Sequence, residues 1–376
     1  MPRGKSVVLA SLALVALASA ACSGAHRGAV SAGGEVSQAA TVSDPTTTTE
    51  APTTTTAAPA PSPPVGPSGP APVPPPPGGG PLTGFAAADG LPSRPALVVK
   101  IDNGPRALPQ AGINQADVVF EEQVEGGITR LAAVFQSESP GSVGPVRSAR
   151  STDIGLVSPL SGPLFAYSGA NKVFLAQVRR APLVDVGADK APGRYHRDGS
   201  RPVPDNLFSS ASALFALAAP QAVAPPALFA YHAPGEAPSG AGAKPVGRVH
   251  AEWGSHMTTV DYLWDAPSRQ WRRTQNGRAD VDTTGTQVAP SNVVIQFVGY
   301  RNTGLVDPSG SAVPEAQVVG EGDAWVLTGG SLIPAHWSKP SAEAVTHYVD
   351  ANGAEVLLAP GRTWVELVPP GKASAN

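Results

Sequence analysis

Apolar residues fall into short runs broken by glycine, proline and polar turns, and the spacing within these runs changes along the chain. Ala96–Asn103 (ALVVKIDN), Ala116–Gly127 (ADVVFEEQVEGG) and Ile128–Ser137 (ITRLAAVFQS) are nearly continuous apolar stretches closed by turn residues, which predicts strands. The segment SARSTDIGLVSPL changes to helical spacing at Ile154, Leu156 and Val157. GPLFAYSG returns to a strand, ANKVFLAQVRRA is an amphipathic helix, and SSASALFALAA predicts a further apolar helix after Asn206. Beyond residue 251 the alternation has period two: TTVDYLWD, QWRRTQNG, SNVVIQFVGY and DAWVLTGGSLIPAHW read as strands. Asn352-Gly353 is a strong hairpin signal. The fold class expected from this pattern is α+β, with an N-terminal α/β domain over residues 85–232, a linker over 233–251, a mostly β C-terminal domain over 252–368 and a tail over 369–376.

The first 84 residues follow neither pattern. Arg3 and Lys5 precede an apolar run from Val7 to Ala18, too short to span a bilayer core, and small residues lead to Cys22. Residues 1–21 are therefore expected to be a signal peptide, with Cys22, the only cysteine, as the lipidated first residue of the mature chain. Ser19 stands where such sites commonly carry leucine, so simple cleavage and secretion is the alternative. Residues 22–84 are rich in Thr, Pro, Gly and Ala and bury too little to order themselves, which makes them a disordered tether. Pro52–Pro81 alone, if extended, reaches roughly 90 Å at about 3.1 Å per residue.

Charge narrows the partners. A formal net charge of −3 with 15% charged residues gives no basic stripe for nucleic acid. The chain lacks paired cysteines, H-E-x-x-H, G-x-S-x-G, S-x-x-K and a glycine-rich phosphate loop, so no metal or cofactor is expected. The expected partners are the membrane, through lipid on Cys22, and a cell-wall component or envelope protein.

The densest polar group is Asp102 and Asn103 at a strand end, Glu121, Glu122 and Glu125 on the next strand, Arg130, and then Arg147 and Arg150. In an open α/β sheet, ligands gather at carboxyl ends of strands, where Asp102 and Asn103 lie. Period two places Glu121 and Glu125 on one strand face and Glu122 on the other. Arg147 and Arg150 lie where a helix is expected to begin, a position whose dipole disfavours cations, so an anion must compensate. Glu122, Glu125 or Asp198 folded over them would make a structural ion network, whereas a bound carboxylate, phosphate or acidic sugar would make a site. Asp198 and Asn206, in YHRDGSRPVPDN, face the arginines or cap the next helix, with Ser209 and Ser210 competing for the cap.

ALVVKIDNGPRALPQAGINQADVVFEEQVEGGITRLAAVFQS, VGPVRSAR, YHRDGSRPVPDNLFSS and the later YLWDAPSRQWRRTQNG…VAPSNVVIQF…GRTWVELV together resemble the YerB-like bacterial lipoproteins, a family built from a two-part domain of unknown function. The likeness covers most of residues 92–368. It implies an exported, lipid-anchored location on the outer face of the cytoplasmic membrane and two linked domains, and it brings no established reaction. Ser168 and Asp205 stand where the family more often carries histidine. The leading expectation is a binding or scaffolding lipoprotein whose contact includes Arg147 and Arg150. The alternative is an envelope hydrolase or transferase acting on wall polymer, with Glu122, Glu125 or Asp198 as acid and base.

Overall fold

The computed structural model describes residues 79–86, 92–254, 257–307 and 309–376. The expected signal peptide, Cys22 and nearly all of the expected tether lie outside these residues.

The N-terminal half supplies β1 (Leu97–Asp102), β2 (Val118–Gln123), β3 (Thr129–Phe135), β4 (Leu164–Ala166) and β5 (Val184–Asp185). Its helices are short: α1 (Ser151–Val157), α2 (Lys172–Val178) and α3 (Ala211–Phe215). The C-terminal half supplies β6 (Arg248–Trp253), β7 (Thr258–Asp265), β8 (Gln270–Gln275), β9 (Asn292–Phe297), β10 (Gly320–Thr328), β11 (Ser331–Lys339), β12 (His347–Val349), β13 (Thr363–Val368) and β14 (Ala373–Ala375). The described chain is mostly β, and the N-terminal half is less helical than an alternating α/β pattern leads one to expect. Helical spacing there extends over only one or two turns before a glycine, proline or turn stops it.

Strands from both halves form one eleven-stranded sheet, in the order β12-β11-β10-β9-β13-β2-β3-β1-β4-β5, with Lys244–Pro245 added beside β11. The junction is β13, parallel to β9 on one side and to β2 on the other; Trp364 pairs in register with Val293 and Val119. β6, β7, β8 and β14 form a second sheet, which Arg278–Ala279 extends beside β8. The stretch 233–251, expected as a linker, thus contributes Lys244–Pro245 to the first sheet and the start of β6 to the second. Its glycines and prolines mask a Val-His-Ala-Glu-Trp alternation that is a strand.

Both faces of the large sheet are covered, so β1, β3 and β13 are buried at every position. Leu97, Val99, Ile101, Val119, Leu131, Ile295 and Trp364 pack against Val249, Trp253, Tyr262 and Trp271 of the second sheet. Val98, Val118, Val134, Val294 and Val365 on the other face pack with Leu156 and Val157 of α1, Leu160, and Leu228 and Phe229. Trp253, Tyr262, Trp271, Trp337, Tyr348 and Trp364 are buried in the core, and Trp264 and Trp325 are partly buried against it.

Because β2 takes its second neighbour from β13, residues 79–232 expressed alone leave a central strand edge and an apolar sheet face bare. This fragment is expected to give collapsed amide dispersion in a 1H–15N spectrum and to gain native dispersion only when residues 233–376 are supplied. Native dispersion of the isolated fragment would show that the shared sheet is dispensable.

Candidate functional site

Two polar networks lie inside the structure, one on each face of the large sheet. On the helix face, β3 places Arg130 directly between Asp102 of β1 and Glu122 of β2. Lys100, two residues before Asp102, is fully buried and pairs with both Glu122 and Asp153, the latter at 2.6 Å. Asp153 is the third residue of α1; its carboxylate also accepts from the Arg150 backbone N–H at 2.7 Å, which supplies the anion that the helix start requires. Arg150 is the residue that opens α1. Its side chain turns away to Glu125, in the turn after β2, with two parallel bonds of 2.7 and 2.6 Å, the planar fork that guanidinium and carboxylate form best. Arg147 pairs with Asp102 and lies 3.9 Å from Asp205, and Arg106 approaches Asp205 at 3.3 Å.

Of the carboxylates expected over the arginines, Glu125 is there and Glu122 and Asp198 are not. Glu125 and Asp102 neutralise Arg150 and Arg147, whereas Glu122 is taken by Lys100. Glu125 lies past the end of the strand, so the period-two argument that set it beside Glu121 does not reach it. Asp198 is not over the arginines: it accepts from the Ser200 backbone and hydroxyl in its own turn, 3.8 Å from Arg201. Asn206 accepts from Arg197 at 2.6 Å, and Ser210 is the residue that caps α3. Asn103 turns to the opposite face, where it donates to Glu121 at 2.9 Å and accepts from Gln110 at 2.8 Å.

Charge on the helix face is nearly balanced: Lys100, Arg130, Arg147 and Arg150 meet Asp102, Glu122, Glu125 and Asp153. Burial raises the Glu122 carboxyl despite Lys100 beside it. Burial and the neighbouring Arg150 bring Arg130 down to about 10. Arg130 donates to the Ser148 carbonyl at 3.0 Å, and its Nε has no protein partner. Asp102 and Asp205 both lie against the Arg147 guanidinium, and their carboxyls are driven apart. Burial pushes Asp102 up, but Arg147 and Arg130 outweigh it and hold it low; Asp205 is raised by burial and by the Asp102 charge.

On the other face, Arg273 of β8 is fully buried between Glu121 of β2, at 2.6 Å, and Asp280, and lies over the Trp364 ring at 4.7 Å. Glu366 of β13 is the in-register neighbour of Glu121 and accepts from the Tyr262 hydroxyl. Burial holds Glu366 well above the ordinary carboxylate range, and the adjacent Glu121 adds to the shift. Sequence reasoning missed Lys100, Arg273 and Glu366. The available signal was a charge at an inward-facing strand position: Lys100 in LVVKID, Arg273 in QWRRTQ and Glu366 in TWVELV.

Among the described residues no group of three or more His, Cys, Asp and Glu is arranged to hold a metal ion, and no helix is long and apolar enough to cross a membrane.

Residues 82–224 match the model of the "Protein of unknown function (DUF3048) N-terminal domain", and residues 249–365 match that of its C-terminal domain. The chain belongs to this DUF3048 family. A Bacillus subtilis (strain 168) relative named "Putative lipoprotein YerB" is 27% identical over 302 residues, 77% of this chain and 86% of that protein. The crystal structure of YerB from Bacillus subtilis is similar with a TM-score of 0.67 at 25% identity, covering 79% of this chain and 99% of that one. The two DUF3048 segments flank the stretch between α3 and β6, and their strands meet at β2 and β13.

Removing the Lys100 charge strands two buried carboxylates, so Lys100→Met is expected to destabilise the fold by about 3–5 kcal/mol in denaturant titration. A loss below about 1 kcal/mol would contradict this burial. Glu366→Gln tests the opposite case. With its folded pKa raised, Glu366 contributes stability that is full below the unfolded carboxylate range and is lost as pH rises towards the folded value. The stability of Glu366→Gln relative to the parent is therefore expected to rise between pH 4 and pH 8; a pH-independent difference would show Glu366 to be ionised in the fold.

Proposed function

We propose that this chain is an exported, lipid-anchored binding or scaffolding protein of the cell envelope, tethered through Cys22 and residues 22–84, without catalysis of its own. The name of its Bacillus relative supports the anchor. The single observation that carries the non-catalytic reading is that Glu122, Glu125 and Asp102 are buried and each engaged by a cation, so none is free to move a proton at a bound substrate. The contact surface is the rim where Arg106, 69% exposed, and Arg147, 22% exposed, flank Asp205. These cations suit an anionic group of a wall component or envelope protein.

A second reading has one observation in its favour. The carboxyls of Asp102 and Asp205, both against the Arg147 guanidinium and pushed in opposite directions by their surroundings, have the form of an acid and base pair, which supports a hydrolase or transferase acting on wall polymer.

The test is titration of the full chain with muropeptide and with inorganic phosphate. Arg106→Ala, an exposed change that costs the fold little, is expected to weaken binding by roughly tenfold with the melting temperature unchanged. Unchanged binding by a folded Arg106→Ala protein contradicts the contact. Turnover of wall polymer that Asp205→Asn abolishes overturns the non-catalytic reading.

A further inference from the structure

The loop that follows β1 and the hairpin between β8 and residue 281 enclose a pocket of about 520 Å³. One wall is apolar, made by Pro105, Leu108 and Pro109; the other carries Asp280 and Arg278. The walls are fixed before any ligand arrives. Arg201 donates to the carbonyls of Ala107 and Pro109 at 3.0 and 2.6 Å, Gln275 donates to that of Asn103 at 3.0 Å, and the Thr283 N–H donates to the Gln110 carbonyl at 2.9 Å. Preformed concavity with one apolar wall and a few converging polar groups is the usual form of a small-molecule site.

Asp280 selects the ligand. It is 4% exposed; one of its oxygens is held by Arg273 and the other has no protein partner. Three carboxyls, those of Glu121, Glu366 and Asp280, lie around the buried Arg273, and Asp282 lies near Asp280, so carboxyls outnumber the cation behind the pocket wall. A buried carboxylate with a spare acceptor and an uncompensated field favours a cation that donates hydrogen bonds, which is the chemistry of a primary ammonium. Arg278, exposed at the mouth, lies two residues from Asp280 in extended chain, roughly 7 Å along the backbone. An ammonium and a carboxylate separated by one peptide unit match that span, and the side chains between them meet the prolines and Leu108.

We propose that this pocket binds a short peptide zwitterion, its free amino terminus on Asp280, its carboxylate on Arg278 and its apolar side chains against Pro105, Leu108 and Pro109. This site lies apart from the Arg106 and Arg147 contact and does not depend on it.

The experiment is calorimetric titration of the full chain with the dipeptide Ala-Leu, its N-acetyl form and its C-terminal amide. Saturable one-to-one binding of the free dipeptide is expected, with at least a roughly tenfold loss on acetylation and a several-fold loss on amidation. Arg278→Ala is expected to lose what amidation loses and to bind the amide as the parent does. Leu108→Trp, which fills the pocket, is expected to abolish binding while melting as the parent does, and Arg106→Ala is expected to leave dipeptide affinity unchanged. The proposal is overturned by the absence of saturable binding up to about 10 mM, by acetylated and free dipeptides binding equally, or by a folded Leu108→Trp protein binding like the parent.

Discussion

The contact on which the structure depends is the Arg273 guanidinium, closed off from water between Glu121, Asp280 and the face of Trp364. Glu121 lies in the N-terminal half of the chain, and Arg273, Asp280 and Trp364 in the C-terminal half. An arginine buried this deeply is tolerated only when its charge is met, and here carboxylates from both halves meet it. The same place joins the sheet, because β2, which carries Glu121, pairs with β13, which carries Trp364 and Glu366. Hydrophobic burial supplies most of the stability. The ion cluster adds register, since slipping β13 by one residue would carry Glu366 to the helix face and Val365 among the charges.

The helix face repeats this logic with the signs more evenly matched. Lys100, Glu122 and Asp153 fix α1 to β1 and β2, and the Arg150 fork to Glu125 fixes the turn after β2 to the entry of α1. Only towards the loop 104–109 does the network open to solvent, through Arg147, Asp205 and Arg106. The loop 104–109 thus serves both proposed contacts, with Arg106 at the rim and Pro105, Leu108 and Pro109 in the pocket wall.

How much of this was legible in the sequence depended on whether a residue's partner was local. The strands at 97–102, 118–123 and 129–135, the helix after Arg150 and the buried tryptophans follow from periodicity, and the need of the arginine pair for an anion follows from the dipole. The identity of that anion does not. Glu125 reaches Arg150 across a turn that alternation cannot extrapolate through, and Glu122 is diverted to Lys100 because both lie on the α1 side of the sheet, on the two strands that flank β3. Arg273 follows another arginine in an alternating strand and Glu366 stands alone in an apolar one, and their meaning appears only when sheet order brings residues 121, 273 and 366 together. The turn-rich composition of 233–251 gives no sign of Lys244–Pro245, whose strand partner in β11 is far away in sequence.

If the two halves share one cooperative sheet, they open together. Native-state hydrogen exchange of the full chain measures this directly, by comparing the opening free energies of Val119 and Val134 in β2 and β3 with those of Val294 and Val365 in β9 and β13. The structure predicts that all four exchange only through global unfolding, at the same free energy and with the same denaturant dependence. If Val119 and Val134 remained protected while Val294 and Val365 exchanged at a free energy lower by more than about 2 kcal/mol, the halves would be separate units and the Arg273 junction would not unite them.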